Sequence, residues 1–257
     1  MSDLFFQLGR RLGQAAIPVA RKTRWAWRLF AGTEMESLQA EAEMGAALAR
    51  EVAVWEGATA DDRRRLEEIS ERLRGRLRSP ARVFQVEVVK TGGAAAFSLP
   101  GGYIFLDSSL IDLCGRDANE LAFVVGHEMA HVIRRHALDR WVAGAGIKVM
   151  ATLISRGALG AWWRENGSRL LRSAYDRQQE YEADAFGARL AWAAGFDPAG
   201  AVRLLGRLEG LRQRPGLLGE HYASHPPAAD RIARLQENEL MRRGNSAGGA
   251  PVTPERL

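Results

Sequence analysis

A single cysteine, Cys114, is all the thiol chemistry this chain carries. One thiol cannot close an intrachain disulfide or build a multi-cysteine zinc cluster. Its setting, "LIDLCG", reads as helix, where a small buried side chain is the ordinary role. So little cysteine fits a reducing compartment. Long apolar runs are also missing. The richest stretch, "VAGAGIKVMATLISRGALGAWW" (142–163), is interrupted by Lys148 and Arg156. The uncharged pieces fall far short of the ~20 residues that a spanning helix needs. We expect a buried or interfacial helical segment there and no transmembrane helix. A secretory signal is not visible either: "MSDLFFQLGRRLGQAAIPVA" has an early acid and arginines inside its apolar part. The expected location is cytoplasmic, with peripheral membrane contact open.

Charge is one-sided without being extreme, at net +5 with a pI near 9.8. The arginines are spread along the chain and no recognition motif accompanies them, so we expect no nucleic-acid partner. Residues 4–33 concentrate the bias, with six Lys or Arg, no acid, and Trp25, Trp27, Leu29 and Phe30 among them. Two readings fit: a basic amphipathic helix on an anionic membrane, or a helix packed on its own domain. Residues 142–163 are a second candidate for membrane contact, or for a lid.

Periodicity gives a mostly helical α+β chain. Met44, Leu48, Val52 and Trp55 fall at helical spacing, as do Leu66, Ile69, Leu73 and Leu77. "VFQVEVV" (83–89) is rich in β-branched residues and predicts a strand. "FSLPGGYIFL" predicts two short extended pieces around the Pro-Gly-Gly turn. A helix is expected from about Asp107 to Gly115. Another should begin at "DANE", where Asp117 and Glu120 have capping-box spacing, and run to about Trp141. Further helices are expected over 168–195, from Asp197-Pro198, and after "SHPP". The domain reading is a basic segment at 1–33, one domain at 34–242 and a disordered tail at 243–257.

Within the "DANE" helix lies "HEMAH". Residues four apart on a helix differ by about 40° in direction and one turn in height. His127 and His131 therefore share a face and can share a metal ion, while Glu128 stands beside it as a general base for water. The flanks, "LAFVV" and "VI", are apolar. Burying such polar groups there is costly without a metal or partners. Gly126, just before His127, lowers helix stability and so points to close backbone approach.

A catalytic zinc site needs a third protein ligand and an open position. The extended pattern HExxHxxGxxH is excluded, because Arg134 occupies the glycine position, Ala137 the last histidine position, and His136 falls one residue short. The third ligand must come from later in the chain. In "DRQQEYEADAFGARL", Glu180 and Asp184 share a helix face, which suits Glu180 as ligand and Asp184 as the carboxylate that orients a ligand histidine. Glu182 points roughly the other way and is the weaker candidate.

Four blocks in order, "AFSLPGGYIFLDSSLI", "ANELAFVVGHEMAHVIRRHA", "RQQEYEADAFGARL" and "SHPPAADRIARL", resemble the M48 family of zinc metallopeptidases. This family belongs to the gluzincins, and the nearer resemblance is to its small Oma1-like branch. The resemblance implies a gluzincin-like fold, with an active-site helix and a small sheet beside it. It implies one Zn2+ per chain on His127, His131 and Glu180, with Glu128 as base and Asp184 behind the ligands. His225 and Arg231 match the family's "HP…R" positions and are implied to stabilise the reacting carbonyl. The implied activity is endopeptidase cleavage of extended or unfolded polypeptides, with a role in protein quality control. The alternative is a zinc-binding but latent or inactive relative with a structural or regulatory role. One departure is Ala95, where the family usually has Asn before Ala-Phe and the Pro-Gly-Gly turn.

Overall fold

Short polar side chains decide where the helices begin. Thr33 caps α1 (Glu34–Ala49): its hydroxyl accepts from Glu36 N, and the Glu36 carboxylate accepts from Thr33 N at 2.8 Å. Thr59 caps α2 (Ala60–Arg74) in the same way through Asp62 N. Three strands follow, β1 (Gln85–Val89), β2 (Ala96–Leu99) and β3 (Tyr103–Asp107), the last two joined by a 3-10 turn at Pro100–Gly102. Asp107 then caps α3 (Ser108–Leu113), and Asp117 caps α4 (Ala118–Ile133). The later helices are α5 (His136–Ala145), α6 (Arg177–Ala193, capped by Asp176), α7 (Ala199–Arg212) and α8 (Ala228–Glu237). This computed structural model describes Trp25 and residues 27–52, 56–77, 82–90, 95–146, 149–150, 152–153, 157–158, 161–162, 165, 175–212 and 225–237. The expected tail, residues 1–24 and much of 142–163 lie outside them.

The chain is α+β and mostly helical, with one small sheet in the order β1-β3-β2. β1 runs parallel to β3, pairing Gln85 with Tyr103 through Val89 with Asp107, and β2 runs antiparallel to it. Side chains alternate across a strand, so the sheet faces two cores. Ile104 and Leu106 join the larger core, with Leu66, Leu73, Leu121 and Leu190. Phe105 joins the smaller one, with Met44, Leu48, Leu138 and Trp141. Trp25 and Leu29 are buried in that smaller core, while Trp27 and Phe30 remain half exposed. Among the described residues no helix is long and apolar enough to cross a membrane.

Helix α4 is the central element, buried at every residue from Glu120 to Val132. Leu121, Val125 and Met129 are fully inaccessible, and burying each such side chain contributes about 1.5–3 kcal/mol. That gain offsets the cost of enclosing two histidines and a glutamate. Along one side α4 meets α6 backbone to backbone at Gly126 and Gly187. A Cβ on Gly187 would sit 2.7 Å from His127 N, and one on Gly126 would sit 3.0 Å from Gly187 O. Only glycine permits that approach, as the sequence suggests for Gly126. The Pro-Gly-Gly turn is equally specific: Gly101 and Gly102 have φ of 81° and 97°, and a Cβ on Gly102 would come 2.0 Å from Val83 O. The buried Glu41 carboxylate accepts from Gly101 N and from Arg82, which ties the turn to α1.

Several expected boundaries shift. Helix α1 stops at Ala49, short of Val52, and Trp55 lies outside the described residues. Asp117 caps α4 by accepting from Asn119 N, but no capping box forms. Glu120 is instead buried against Arg203 and Arg207 of α7, at 3.5 and 3.2 Å. Helix α4 ends at Ile133, not near Trp141. Arg135 turns into the left-handed region (φ 64°), and its guanidinium donates to Leu29 O and Ser37 Oγ at 3.2 and 2.8 Å. These are contacts to residues about a hundred positions away in sequence, which local periodicity does not register. Of the helix expected over 168–195, the part from Arg177 to Ala193 is α6.

Overpacking of this kind costs about 1–3 kcal/mol, against a gain of about 1 kcal/mol for alanine over glycine in a helix. Gly187→Ala is therefore expected to lower the melting temperature and to weaken metal binding together; wild-type values for both would show that the helices can part without consequence. Cys114 is buried, and burial with the nearby Glu120 charge pushes its thiol up to about 12. A raised thiol stays protonated through neutral pH, so the native chain is expected to resist a thiol reagent at pH 8 and to react once unfolded.

Candidate metal centre

The helical repeat and the glycine contact together bring three side chains to one point. His127 and His131 are one turn apart on α4, and their Nε2 atoms face each other at 3.1 Å. Glu180 comes from the first turn of α6, with Oε2 3.7 Å from His127 Nε2 and Oε1 3.5 Å from His131 Nε2. One ligand atom from each of the three lies within 4.8 Å of the others, and all three residues are buried. Glu182, the weaker candidate, sits outside this group, half exposed and 3.9 Å from His136 Nε2.

Charge around the point is balanced by partners on α6, α8 and the loop before it. Asp184 lies one turn beyond Glu180, with Oδ1 3.0 Å from His127 Nδ1. Arg231 of α8 grips the same carboxylate with two donors, at 2.7 and 2.5 Å. Burial alone would push the Asp184 carboxyl up, but the Arg231 charge and the hydrogen bonds from Arg231 and His127 outweigh it and hold it below its usual range. Burial likewise disfavours charge on Glu180. His225, whose Nδ1 is 2.8 Å from Oε2, together with His131 and His127 overcomes this and keeps the carboxylate well below the usual range. Burial pushes the His131 imidazole down to about 3, so it is neutral, as a metal ligand must be.

These residues fit a cation. Two imidazole nitrogens confront each other beside a carboxylate, and Glu180 Oε1 is buried with no hydrogen-bond partner among the described residues. Nitrogen and oxygen donors converging from rigid helices are the donor set of a divalent transition metal.

Glu128 points from α4 to the wall of the adjoining cleft. This open space of about 450 Å³ is lined by the polar His127, Glu128, His225 and Arg231 and by the apolar Phe123, Val124, Leu204, Leu205 and Leu208. Burial raises the Glu128 carboxyl above its ordinary range, partly offset by His127 and the Ser98 hydroxyl. All seven residues singled out in the sequence thus lie together.

Three contacts escaped sequence reasoning. The bidentate Arg231–Asp184 pair joins residues 47 positions apart. His136 places Nδ1 3.1 Å from His131 Nδ1, which the turn at Arg135 makes possible. Tyr175 stacks on the His131 ring at 3.8 Å between centroids. The spacing of His136 to the motif was visible, but its direction depended on the break in the helix.

Residues 60–239, well over half the chain, match peptidase family M48. The chain is 31% identical over 160 residues to the mitochondrial metalloendopeptidase OMA1 of Schizosaccharomyces pombe, covering 60% of this chain and 46% of that one. It is 28% identical over 148 residues to the metalloprotease LoiP of Escherichia coli, covering 55% and 57% respectively. A protease HtpX homolog of Salinibacter ruber is 31% identical over 166 residues, covering 52% and 59%. The match takes in only 32–46% of the length of the plant and yeast mitochondrial relatives. With the metal helix, Glu180 and the His225–Arg231 block all inside the matched span, the chain belongs to peptidase family M48 and is similar to the Oma1 metalloendopeptidases.

Proposed function

We propose that this chain is a zinc-dependent endopeptidase that hydrolyses peptide bonds in extended or unfolded polypeptides. The observation that carries the reading is the buried convergence of His127, His131 and Glu180 beside a cleft lined by His127 and Glu128. His127 Nε2, His131 Nε2 and a Glu180 oxygen would hold one zinc ion, which supplies Lewis acidity toward water and the scissile carbonyl.

The chain's own groups have separable tasks. Glu128 takes a proton from the attacking water and returns it to the leaving amine. Asp184, gripped by Arg231, fixes the His127 ring through Nδ1 so that Nε2 faces inward. His225 and Arg231 line the same cleft and act on the carbonyl oxygen as negative charge develops there.

Substrate would bind extended, by adding a strand. Within the 97–106 segment, β3 is flanked on both sides, so among the described residues β2 is the strand with an unpaired edge, and Ala96 at its start lines the cleft. Recognition through main-chain hydrogen bonds requires an unfolded or flexible substrate, and this suits a role in protein quality control.

Casein cleavage by the full chain tests the reading. Wild type should bind one zinc per chain and cleave in a chelator-sensitive manner. Glu128→Gln should keep the zinc and lose about 10²–10⁴-fold in rate; cleavage at the wild-type rate would refute its role as base. Ligand assignment is checked separately by metal analysis. Glu180→Gln should lose zinc while Glu182→Gln retains it, and the reverse pattern would move the third ligand to Glu182.

A further inference from the structure

The two ligand histidines are supported differently. His127 has a carboxylate behind it, Asp184, itself clamped by Arg231. His131 has, among the described residues, another imidazole behind it, His136, at 3.1 Å between Nδ1 atoms. A single hydrogen bond along that line fixes the direction of the ring but leaves its plane free to rotate about the bond. Tyr175 lies flat on the His131 ring, with centroids 3.8 Å apart and planes 11° from parallel. On the Tyr175 ring sits the Arg140 guanidinium, 4.0 Å from the centroid. Arg140 Nε and Nη2 are buried and make no hydrogen bond among the described residues, which leaves the aromatic face as a partner for this cation. Both flanking groups come from α4 and α5, while Tyr175 arrives just ahead of the α6 cap.

Tyr175 Oη is buried and, like Ser98 Oγ and Glu128 Oε2, makes no hydrogen bond among the described residues.

We propose that Tyr175 is a positioning residue of the metal centre: clamped by Arg140 against His131, its ring fixes the plane in which His131 presents Nε2 to the metal. Tyr175 does for His131 by stacking what Asp184 does for His127 with its carboxylate, 3.0 Å from Nδ1. The inference rests on the metal reading above and adds a supporting residue to it.

The experiment uses the full chain with zinc and, separately, with Co2+ as a spectroscopic probe. Zinc affinity is read by competition with a chromophoric chelator for wild type, Tyr175→Phe and Tyr175→Leu. Loss of an outer partner of a metal ligand typically weakens affinity about 10–100-fold, and that loss is expected for Tyr175→Leu, with an altered visible Co2+ spectrum. Tyr175→Phe keeps the ring and should restore both affinity and spectrum. Wild-type affinity in Tyr175→Leu overturns the proposal. So does an equal loss in Tyr175→Phe, which would assign the effect to the hydroxyl. Should Tyr175→Leu fail to fold by circular dichroism, Arg140→Met carries the test, and unchanged affinity there overturns the clamp. A wild-type chain that binds no zinc would instead refute the metal reading itself.

Discussion

The contact between Gly126 and Gly187 lets α4 and α6 touch backbone to backbone, and the candidate metal centre is built at that crossing. His127 follows Gly126 directly, and Glu180 and Asp184 lie on the two turns of α6 preceding Gly187. A methyl group at either glycine would have to push the helices apart, carrying Glu180 and Asp184 away from the imidazoles they now meet at 3.0–3.7 Å. Two rigid helices in backbone contact place side chains more tightly than a loop can. The apolar length of α4 then holds that helix in the middle of the larger core.

Such a site is possible only because its buried charges are organised as a connected set. Arg231 answers Asp184, Asp184 answers His127, and Glu180 is shared among His127, His131 and His225. Removing one partner of a buried ion pair leaves the other uncompensated, at a cost of about 3–5 kcal/mol. The same logic recurs at a distance from the cleft. Glu120 is held by Arg203 and Arg207 and ties α7 to α4, and Glu41 is held by Arg82 and Arg135 and ties α1 to the Pro-Gly-Gly turn. These inward carboxylates tie α7 to the helix that carries the histidines and α1 to the turn that follows β2.

Much of this was legible in the sequence because it follows from local periodicity and short spacings. The helical repeat alone aligned His127 with His131 and Glu180 with Asp184, and the alternation of residues 103–107 matches a sheet with two buried faces. Gly126 signalled close packing through the helix stability it sacrifices. Less legible were boundaries and directions. Helix α4 has no proline or glycine at its end, and it stops because Arg135 is drawn toward Leu29 and Ser37. That break turns His136 back onto His131.

The sequence by itself determined which residue types could hold a cation, which pairs share a helix face, and that the active helix would be buried. Each depends on neighbours within a turn or two, where backbone geometry is fixed by the peptide unit. Only the tertiary structure decided that Glu180 and not Glu182 meets the histidines, that Arg231 anchors Asp184, and that Tyr175 and Arg140 stack behind His131. Those contacts join segments tens of residues apart, and their distances are set by how closely whole helices pack, a quantity no local pattern contains.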